Sequence, residues 1–328
     1  ALHGQLDSLS LMGIGNGYGD SIKVRWVPPT YDAWQHGMEA GYSLSRMVVS
    51  RDGVPLSMQD RLRTSVLLAT GLKPLPKEDW LPLAEQSDMA LLAAGTAYDG
   101  GFEMSPESLE KRTFNSLKEY TYTKDFKFAI NLFAADHSFS AACGLGLGFL
   151  DTTTRSNEGY LYTVTFSAPM RGAYVQPAMI LLEGNKPRRL GRPGPVTTFF
   201  MDQLVSLSWD DERINQQYVS YLVEKSSDGE NFSIVNTAPV VNYVQGENDN
   251  TVIYFDSLAD NSNEYFYRIK GLTPFGDVGP PSEVVSGKGV PAPVPVLPQI
   301  VETYEFPKGI MQVRWTMEES MNNRVRGF

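Results

Sequence analysis

The sequence predicts a mainly β protein built from antiparallel sandwiches, and three observations lead to this fold class. The segments 22–26, 205–209 and 311–315 each alternate apolar and polar residues and end on a tryptophan, as half-buried strands do. An aspartate followed nine positions later by Tyr-x-Tyr occurs at Asp151 and again at Asp256. The 29 glycines and 21 prolines predict many turns. Because both motifs recur in the same order, we expect one supersecondary unit to be used more than once.

Composition narrows the possible functions. With 328 residues, the chain has room for two domains and a fraction, at about 150 residues per domain. The net charge of the chain is −10, whereas proteins that bind phosphate groups of nucleic acids have a basic surface. We therefore expect no nucleic-acid partner. Cys143 is the only cysteine, which excludes an intramolecular disulfide and a cysteine-based zinc site. The sequence contains no run of about 18 apolar residues, so no transmembrane segment is predicted.

The spacing between the motifs differs in the two complete units. Trp209 and Tyr267 are 58 positions apart, whereas Trp26 and Tyr162 are 136 positions apart. The first unit therefore carries 78 additional residues, which must lie between its second strand and its returning strands.

The additional residues have a helical pattern. The segments 79–94 and 106–120 are rich in residues that favour helices. Ser105 is a suitable N-cap, with Pro106 at the first helical position. We therefore expect an α-helical insertion over about 56–148.

These motifs resemble fibronectin type III modules, which are seven-stranded antiparallel sandwiches. In that family an early strand carries a core tryptophan and the next strand carries a tyrosine. A leucine near a turn then precedes a strand with a buried tyrosine. The resemblance implies core roles for Trp26, Tyr42, Leu150 and Tyr160 or Tyr162 in the first unit, for Trp209, Tyr221, Leu258 and Tyr265 or Tyr267 in the second, and for Trp315 in the third. Of the two alternatives in each unit, we predict that Tyr162 and Tyr267 are the core tyrosines.

Proline and glycine clusters set the expected domain boundaries. We expect a first module over 1–185, a second over 196–289 and the start of a third, truncated module over 299–328. The linker 183–195 is locally basic. The linker 289–298 is proline-rich and is expected to be an extended, semi-rigid spacer. Modules joined by such spacers favour an extended protein that presents binding surfaces over a protein with a closed active site.

Few residues in the sequence are suited to catalysis. Cys143 lies six positions from His137, and a thiolate–imidazole pair is conceivable, but a free cysteine among small residues is usually a packing residue. The glycine-rich segment 13–19 precedes a strand rather than a helix, so we expect a flexible lead-in and not a phosphate loop. The acidic clusters 210–212 and 247–250 lack the spacing of a calcium site. We therefore predict no catalytic, cofactor-binding or metal-binding residue.

An aromatic segment between the first two strands is the best candidate for partner binding. Tyr31, Trp34 and His36 lie where connecting loops of a sandwich cluster. Exposed aromatic rings there would anchor a protein partner or stack on a sugar ring. The alternative is that Trp34 packs beneath the helical insertion.

Two further resemblances suggest the setting in which the protein works. Short Asp-Ser/Thr-x segments, such as those at Asp7 and Asp20, resemble the O-glycan acceptor motif of exported proteins of Bacteroidota. The stretch 26–46 is similar to the opening of long multi-module surface proteins of that phylum.

The expected function is therefore non-catalytic. We expect a modular surface or extracellular bacterial protein that acts in adhesion, in partner binding or in a larger assembly, with protein partners or a surface glycan as ligands. Two alternatives stay open: accessory modules of a larger carbohydrate-active enzyme, or a structural component of a phage tail or similar assembly.

Overall fold

The computed structural model describes residues 9–98, 124–184, 186–210, 217–241, 251–292 and 299–316. In these ranges the chain is mainly β, as the sequence predicts, and every pair of named strands is antiparallel. The predicted helix 106–120 lies outside the described residues.

The first half of the chain forms two facing sheets. One has the strand order β1-β2-β6, and the other has the order β4-β3-β7-β8, with β5 also paired to β3. These strands are β1 (Met12–Gly17), β2 (Ile22–Val27), β3 (Tyr42–Arg51), β4 (Val54–Pro55), β5 (Val66–Leu72), β6 (Gly148–Asp151), β7 (Glu158–Phe166) and β8 (Ala178–Leu182). We call this pair of sheets the first sandwich.

Alternation along the strands builds the core of the first sandwich. Ile22, Val24 and Trp26 point inward from β2 and are buried. The Trp26 ring meets the Tyr42 ring edge to face, with centroids 5.7 Å apart. Such an aromatic pair contributes about 0.5–1.5 kcal/mol beyond its buried area.

Six α-helices accompany the first sandwich within the described ranges, and a 3-10 helix (Lys77–Trp80) precedes the third. The α-helices are α1 (Tyr31–Ala40), α2 (Met58–Arg63), α3 (Leu81–Gln86), α4 (Asp88–Ala97), α5 (Lys124–His137) and α6 (Phe139–Gly144). Ser87 and Ser138 cap α4 and α6 by accepting hydrogen bonds from the backbone. Ser87 also ends α3, so the helix expected over 79–94 is two helices. Buried alanines of α4 and α5 belong to the same hydrophobic core as Trp26.

An ion pair between buried Arg25 and partly exposed Asp136 joins α5 to the outer face of β2. Arg25 alternates with the core residues of β2, yet it is only 2% exposed. Its Nη2 atom lies 2.5 Å from Asp136 Oδ1 of α5. The helices therefore cover the face of the β1-β2-β6 sheet that points away from the core.

The second half of the chain forms another pair of sheets, which we call the second sandwich. Their strand orders are β13-β10-β9 and β12-β11-β14-β15. The strands are β9 (Thr197–Met201), β10 (Leu204–Asp210), β11 (Ser220–Ser226), β12 (Ser233–Ile234), β13 (Thr251–Ser257), β14 (Tyr265–Leu272) and β15 (Val285–Gly287). The two sandwiches match strand for strand, apart from the extra strand β5.

The core of the second sandwich repeats that of the first. Trp209 of β10 and Tyr221 of β11 meet edge to face at 5.2 Å. Leu258 and Tyr267 are also buried. Together with Trp26, Tyr42 and Tyr162, these are the predicted core residues that the structure buries.

A hairpin of β16 (Gln299–Phe306) and β17 (Ile310–Thr316) follows the second sandwich. Every residue of both strands is exposed, and Trp315 is 42% exposed. The assignment of Trp315 to a core is therefore corrected. The alternating pattern does specify the strand, but no second sheet covers it within the described residues.

The assignment of Leu150 to the core is also corrected, because this side chain is 46% exposed. It lies directly before Asp151, whereas Leu258 lies two positions after Asp256. The offsets of the two leucines from their aspartates differ by three positions, which is an odd number. Because successive side chains on a strand point to opposite faces, Leu150 points outward.

Two glycine-containing segments, 51–53 and 13–19, differ in how well they match their predicted conformations. The segment 51–53, whose sequence predicts a hairpin turn, joins β3 to β4 with φ values of 51° at Asp52 and 78° at Gly53. The expectation of a flexible lead-in at 13–19 is wrong, since β1 pairs with β2 over six positions. A Cβ at Gly13 would lie 2.6 Å from Ile180 Cδ1, so the glycine allows the two sheets to approach closely.

Candidate functional site

The predicted aromatic cluster lies on a helix rather than in a loop. Thr30 caps α1 by accepting a hydrogen bond from the Ala33 backbone. Trp34 is only 5% exposed, so it cannot anchor a partner in this conformation.

The neighbours of Trp34 explain its burial. Its ring packs 6.0 Å from the Phe128 ring of α5 and 5.6 Å from the Tyr31 ring. His36 Nε2 lies 2.8 Å from the carbonyl oxygen of Ala168. Tyr31 and His36 are partly exposed, while Trp34 joins α1 to α5. Of the two alternatives for Trp34, the structure favours packing beneath the helices.

Each sandwich contains the same polar network around its repeated aspartate. In the first, Asp151 Oδ2 accepts a hydrogen bond from Tyr162 at 2.8 Å and lies 2.5 Å from Arg46 Nη1. Burial alone would raise the pKa of Asp151. Hydrogen bonds from Thr153 and Tyr162, together with the charge of Arg46, outweigh burial and hold that pKa below its ordinary value.

In the second sandwich, Asp256 Oδ2 accepts from Tyr267 at 2.7 Å and from Lys225 at 2.8 Å. The spacing of eleven positions between aspartate and tyrosine is the same in both networks. Burial, together with the hydrogen bond to Asp256, raises the pKa of Tyr267 well above its usual value. These tyrosines therefore stay protonated and act as donors that hold the strands together.

A second tyrosine in each sandwich ties down a turn. The backbone N–H of Arg155 donates to Tyr160 Oη at 2.7 Å, and that of Asp260 donates to Tyr265 Oη at 3.2 Å. In both cases the tyrosine lies five positions after its donor. The arrangement is the tyrosine corner of immunoglobulin-like sandwiches.

The structure does not support a nucleophile at Cys143. Burial raises the pKa of its thiol to about 11, so the thiolate is scarce at neutral pH. The ring of His137 lies against backbone carbonyls instead, with Nδ1 2.7 Å from Phe133 O and Nε2 3.2 Å from Val219 O. His137 is therefore one of the contacts between α5 and the second sandwich.

Side chains of the two sandwiches interlock at their junction. Asp277, in the turn after β14, accepts hydrogen bonds from Tyr18 Oη at 2.6 Å and from Asn16 Nδ2 at 3.1 Å. Lys23 Nζ donates to the carbonyl oxygen of Phe275 at 2.8 Å. Burial, with the hydrogen bond to Asp277, raises the pKa of Tyr18, so this donor is retained over the physiological range.

A groove of about 300 Å³ opens beside this junction. Strands β1 and β8 line one side, the linker between the sandwiches contributes Arg188, and the turn after β14 lines the other side. Ile14, Met179 and Leu181 present apolar side chains there and are 45%, 66% and 56% exposed. The volume is at the lower end of the range for ligand sites.

Sequence reasoning missed this groove. The only signals were the apolar run 178–182 and the basic linker that follows it. Both were visible, but only the fold brings them next to β1 and to the turn after β14.

Membrane and metal sites can be considered for the described ranges. In them, no helix has the length and apolar character that a membrane crossing requires. Over the same residues, no group of three or more His, Cys, Asp or Glu side chains is arranged to hold a metal ion. The acidic cluster 247–250 and most of the cluster 210–212 lie outside the described residues.

Comparison with known proteins identifies no family. No protein-family model matches the chain, and no curated protein matches it. A β-1,2-glucanase from Parabacteroides distasonis is 17% identical over 44% of this chain and 18% of its own, with a TM-score of 0.25. The third fibronectin III domain of human KIAA0343 protein is 18% identical over 33% and 87% of the two chains, with a TM-score of 0.22. The chicken interferon gamma receptor alpha chain is 10% identical over 86% and 98%, with a TM-score of 0.26.

The fold class of the protein is defined by its own strands. Two sheets of order 1-2-6 and 4-3-7-8, repeated in the second half, are those of a fibronectin type III-like β-sandwich.

Proposed function

We propose that this chain is a non-catalytic, modular protein of the bacterial surface or exterior that binds and presents protein partners. In this proposal it contains two fibronectin type III-like modules in tandem, over 1–185 and 196–289, and the start of a third over 299–328. The helices between β5 and β6 are an elaboration of the first module.

The main support for the proposal is the junction at which side chains of the two modules contact each other. Polar contacts on Asp277 and Phe275 hold the second module against β1 and β2 of the first. Two modules fixed in this way present their loops and edges in a constant geometry. Such a surface suits recognition of a partner.

The groove beside the junction is the proposed partner site. It combines exposed apolar side chains with Arg188, whose guanidinium has no ion-pair partner among the described residues. An apolar centre with a charged group at its margin is the usual composition of a protein interface.

Site-specific photo-crosslinking on producing cells tests the proposal. A photoreactive phenylalanine analogue at Leu181 probes the groove, and the same analogue at Ile253 is the control. These residues are 56% and 54% exposed, and Ile253 lies on the outer face of the second sandwich. We expect discrete protein adducts from position 181 and none from position 253. Equal adducts from both positions, or turnover of a polysaccharide by the purified chain, would contradict the proposal.

A further inference from the structure

The basic linker is held against the second sandwich where it passes the groove. The Gly191 N–H donates to Gln217 Oε1 at 3.0 Å, and Tyr218 Oη donates to the Gly191 carbonyl oxygen. Leu190 packs against the core of the second sandwich. Arg188 lines the groove and lies two positions before Leu190, so its backbone is close to an anchored segment. A charge held in this way loses less conformational freedom on binding than a charge on a free loop.

Gln217 gives the groove a second group with N–H donors. Its Oε1 atom accepts from the Gly191 N–H, which can only donate, so this bond fixes the orientation of the amide. The Nε2 group is then the part of the amide that remains to donate to a ligand. Gln217 and Arg188 both line the groove, and both offer N–H donors to it.

The charges around the groove favour an anionic group. Among the described residues that line it, Arg188 alone carries a charge, and none is an aspartate or a glutamate. Asp277 lies in the adjoining turn, where it already accepts hydrogen bonds from Tyr18 and Asn16. A carboxylate in the groove therefore meets a guanidinium donor, whereas an ammonium group meets a like charge.

The apolar part of the lining limits the ligand further. Ile14, Met179 and Leu181 line the groove with exposed side chains. A small hydrophilic anion would leave these side chains in water. A ligand with a large apolar group next to its carboxylate covers them and pairs with Arg188 at the same time. An extended peptide in which a glutamate or an aspartate neighbours a large apolar residue has this composition.

We propose that the groove binds an extended segment of a partner protein in which a large apolar side chain neighbours an aspartate or a glutamate. The apolar side chain packs on Met179 and Leu181, and the carboxylate accepts hydrogen bonds from Arg188 and Gln217. The proposal names the chemistry of the partner in the proposed function, and it rests on that function. It assigns the groove to a protein and not to an acidic polysaccharide, which supplies carboxylates without large apolar side chains.

Methyl NMR of the whole chain, labelled with ¹³C at the methionine methyl groups, tests the proposal. Met179 lines the groove, whereas Met58 of α2 is exposed to the same extent and does not line it. The probes are sodium glucuronate and two blocked pentapeptides, Leu-Glu-Phe-Glu-Leu and Leu-Lys-Phe-Lys-Leu. We expect the glutamate peptide to shift the Met179 resonance saturably below about 5 mM and to leave Met58 unchanged. The lysine peptide should bind about five- to tenfold more weakly, because repulsion replaces attraction at one exposed charge.

Charge reversal locates the contact. In R188E the preference should reverse, so that the lysine peptide binds more tightly than the glutamate peptide. R189E is the matched control, because Arg189 belongs to the same linker and its reversal changes the net charge equally, but Arg189 does not line the groove. The wild-type preference should persist in R189E. An equal effect of R188E and R189E, equal or absent binding of the two peptides, or glucuronate that binds as tightly as the glutamate peptide would overturn the proposal.

The crosslinking experiment separates this inference from the proposed function. Adducts from position 181 on partner segments that carry an aspartate or a glutamate beside the crosslink support both. Protein adducts without such residues, together with no preference between the two peptides, would leave the proposed function standing and refute an acidic partner. An absence of protein adducts, with the peptide preference intact, would refute the proposed function and support the chemistry assigned to the groove.

Discussion

Replacement of Arg46 by methionine should destabilise the first sandwich strongly. The side chains of Arg46 and Asp151 are only 13% and 1% exposed. Methionine fills much of the same space without a charge, so Asp151 would remain buried without its ion-pair partner. Breaking a buried pair in this way costs about 3–5 kcal/mol, and we expect about 3 kcal/mol because Tyr162 and Thr153 still donate to the carboxylate.

The pH dependence of this loss follows from the depressed pKa of Asp151. A carboxyl group whose pKa is lowered by folding stabilises the protein above its unfolded pKa, about 3.9, and this contribution is lost as the pH falls through the folded pKa. In R46M the pKa of Asp151 is higher than in the wild type. As the pH falls, Asp151 of the variant therefore becomes protonated first, and its unpaired charge no longer destabilises the variant. The difference in stability between wild type and R46M should therefore narrow between neutral pH and about pH 3.

Differential scanning calorimetry is the assay, because it separates the transitions of units that unfold at different temperatures. A loss of about 3 kcal/mol should lower the Tm of the first sandwich by about 6–12 °C. The control is R63M, which removes an ion pair to Asp60 whose side chains are 78% and 51% exposed. Removal of such a surface pair changes stability by about 0–1 kcal/mol. An R46M transition within about 3 °C of that of R63M would refute the reasoning.

Three other predictions concern packing, reactivity and the junction. Gly13→Val should destabilise the chain by about 1–3 kcal/mol in thermal denaturation, because its Cβ would meet Ile180 at 2.6 Å, whereas Gly184→Ala, with open space around it, should be neutral. Cys143 should react with iodoacetamide at pH 7.5 about a hundredfold more slowly than a free thiol, and faster as the pH rises towards 11; a rate equal to that of free cysteine would contradict its burial. Asp277→Ala should loosen the junction, seen as a broader distribution of distances between spin labels on the two sandwiches, and an unchanged distribution would show that the junction does not depend on this carboxylate.

The sequence predicts much of the sandwich core, because the alternation of apolar and polar residues along a strand and the fixed spacings between motifs correspond to contacts in the fold. Trp26 and Trp209 end alternating strands, and each meets the tyrosine of the next strand. The spacing of eleven positions from Asp151 to Tyr162 brings the phenol to the carboxylate, because the turn between the two strands is short.

Other features depend on contacts between segments that are distant in sequence. The helix containing Trp34 is placed by α5, almost a hundred positions later, so local pattern alone does not show that this ring is buried. Glycines usually mark turns, yet Gly13 and Gly15 occupy a strand because Ile180 and its neighbours fill the space that a Cβ would take. The groove beside Arg188 joins three parts of the chain, and no local motif encodes it.

The buried Arg25 has a consequence for folding of the chain. Before α5 has docked, the outer face of the β1-β2-β6 sheet displays a guanidinium in the middle of its central strand. An unpaired cation discourages other sheets from stacking on that face, so the incomplete sandwich resists misassembly. Docking of α5 then supplies Asp136 as the matching carboxylate. The same residue thus disfavours stacking of another sheet on this face and favours the helix that carries the matching carboxylate.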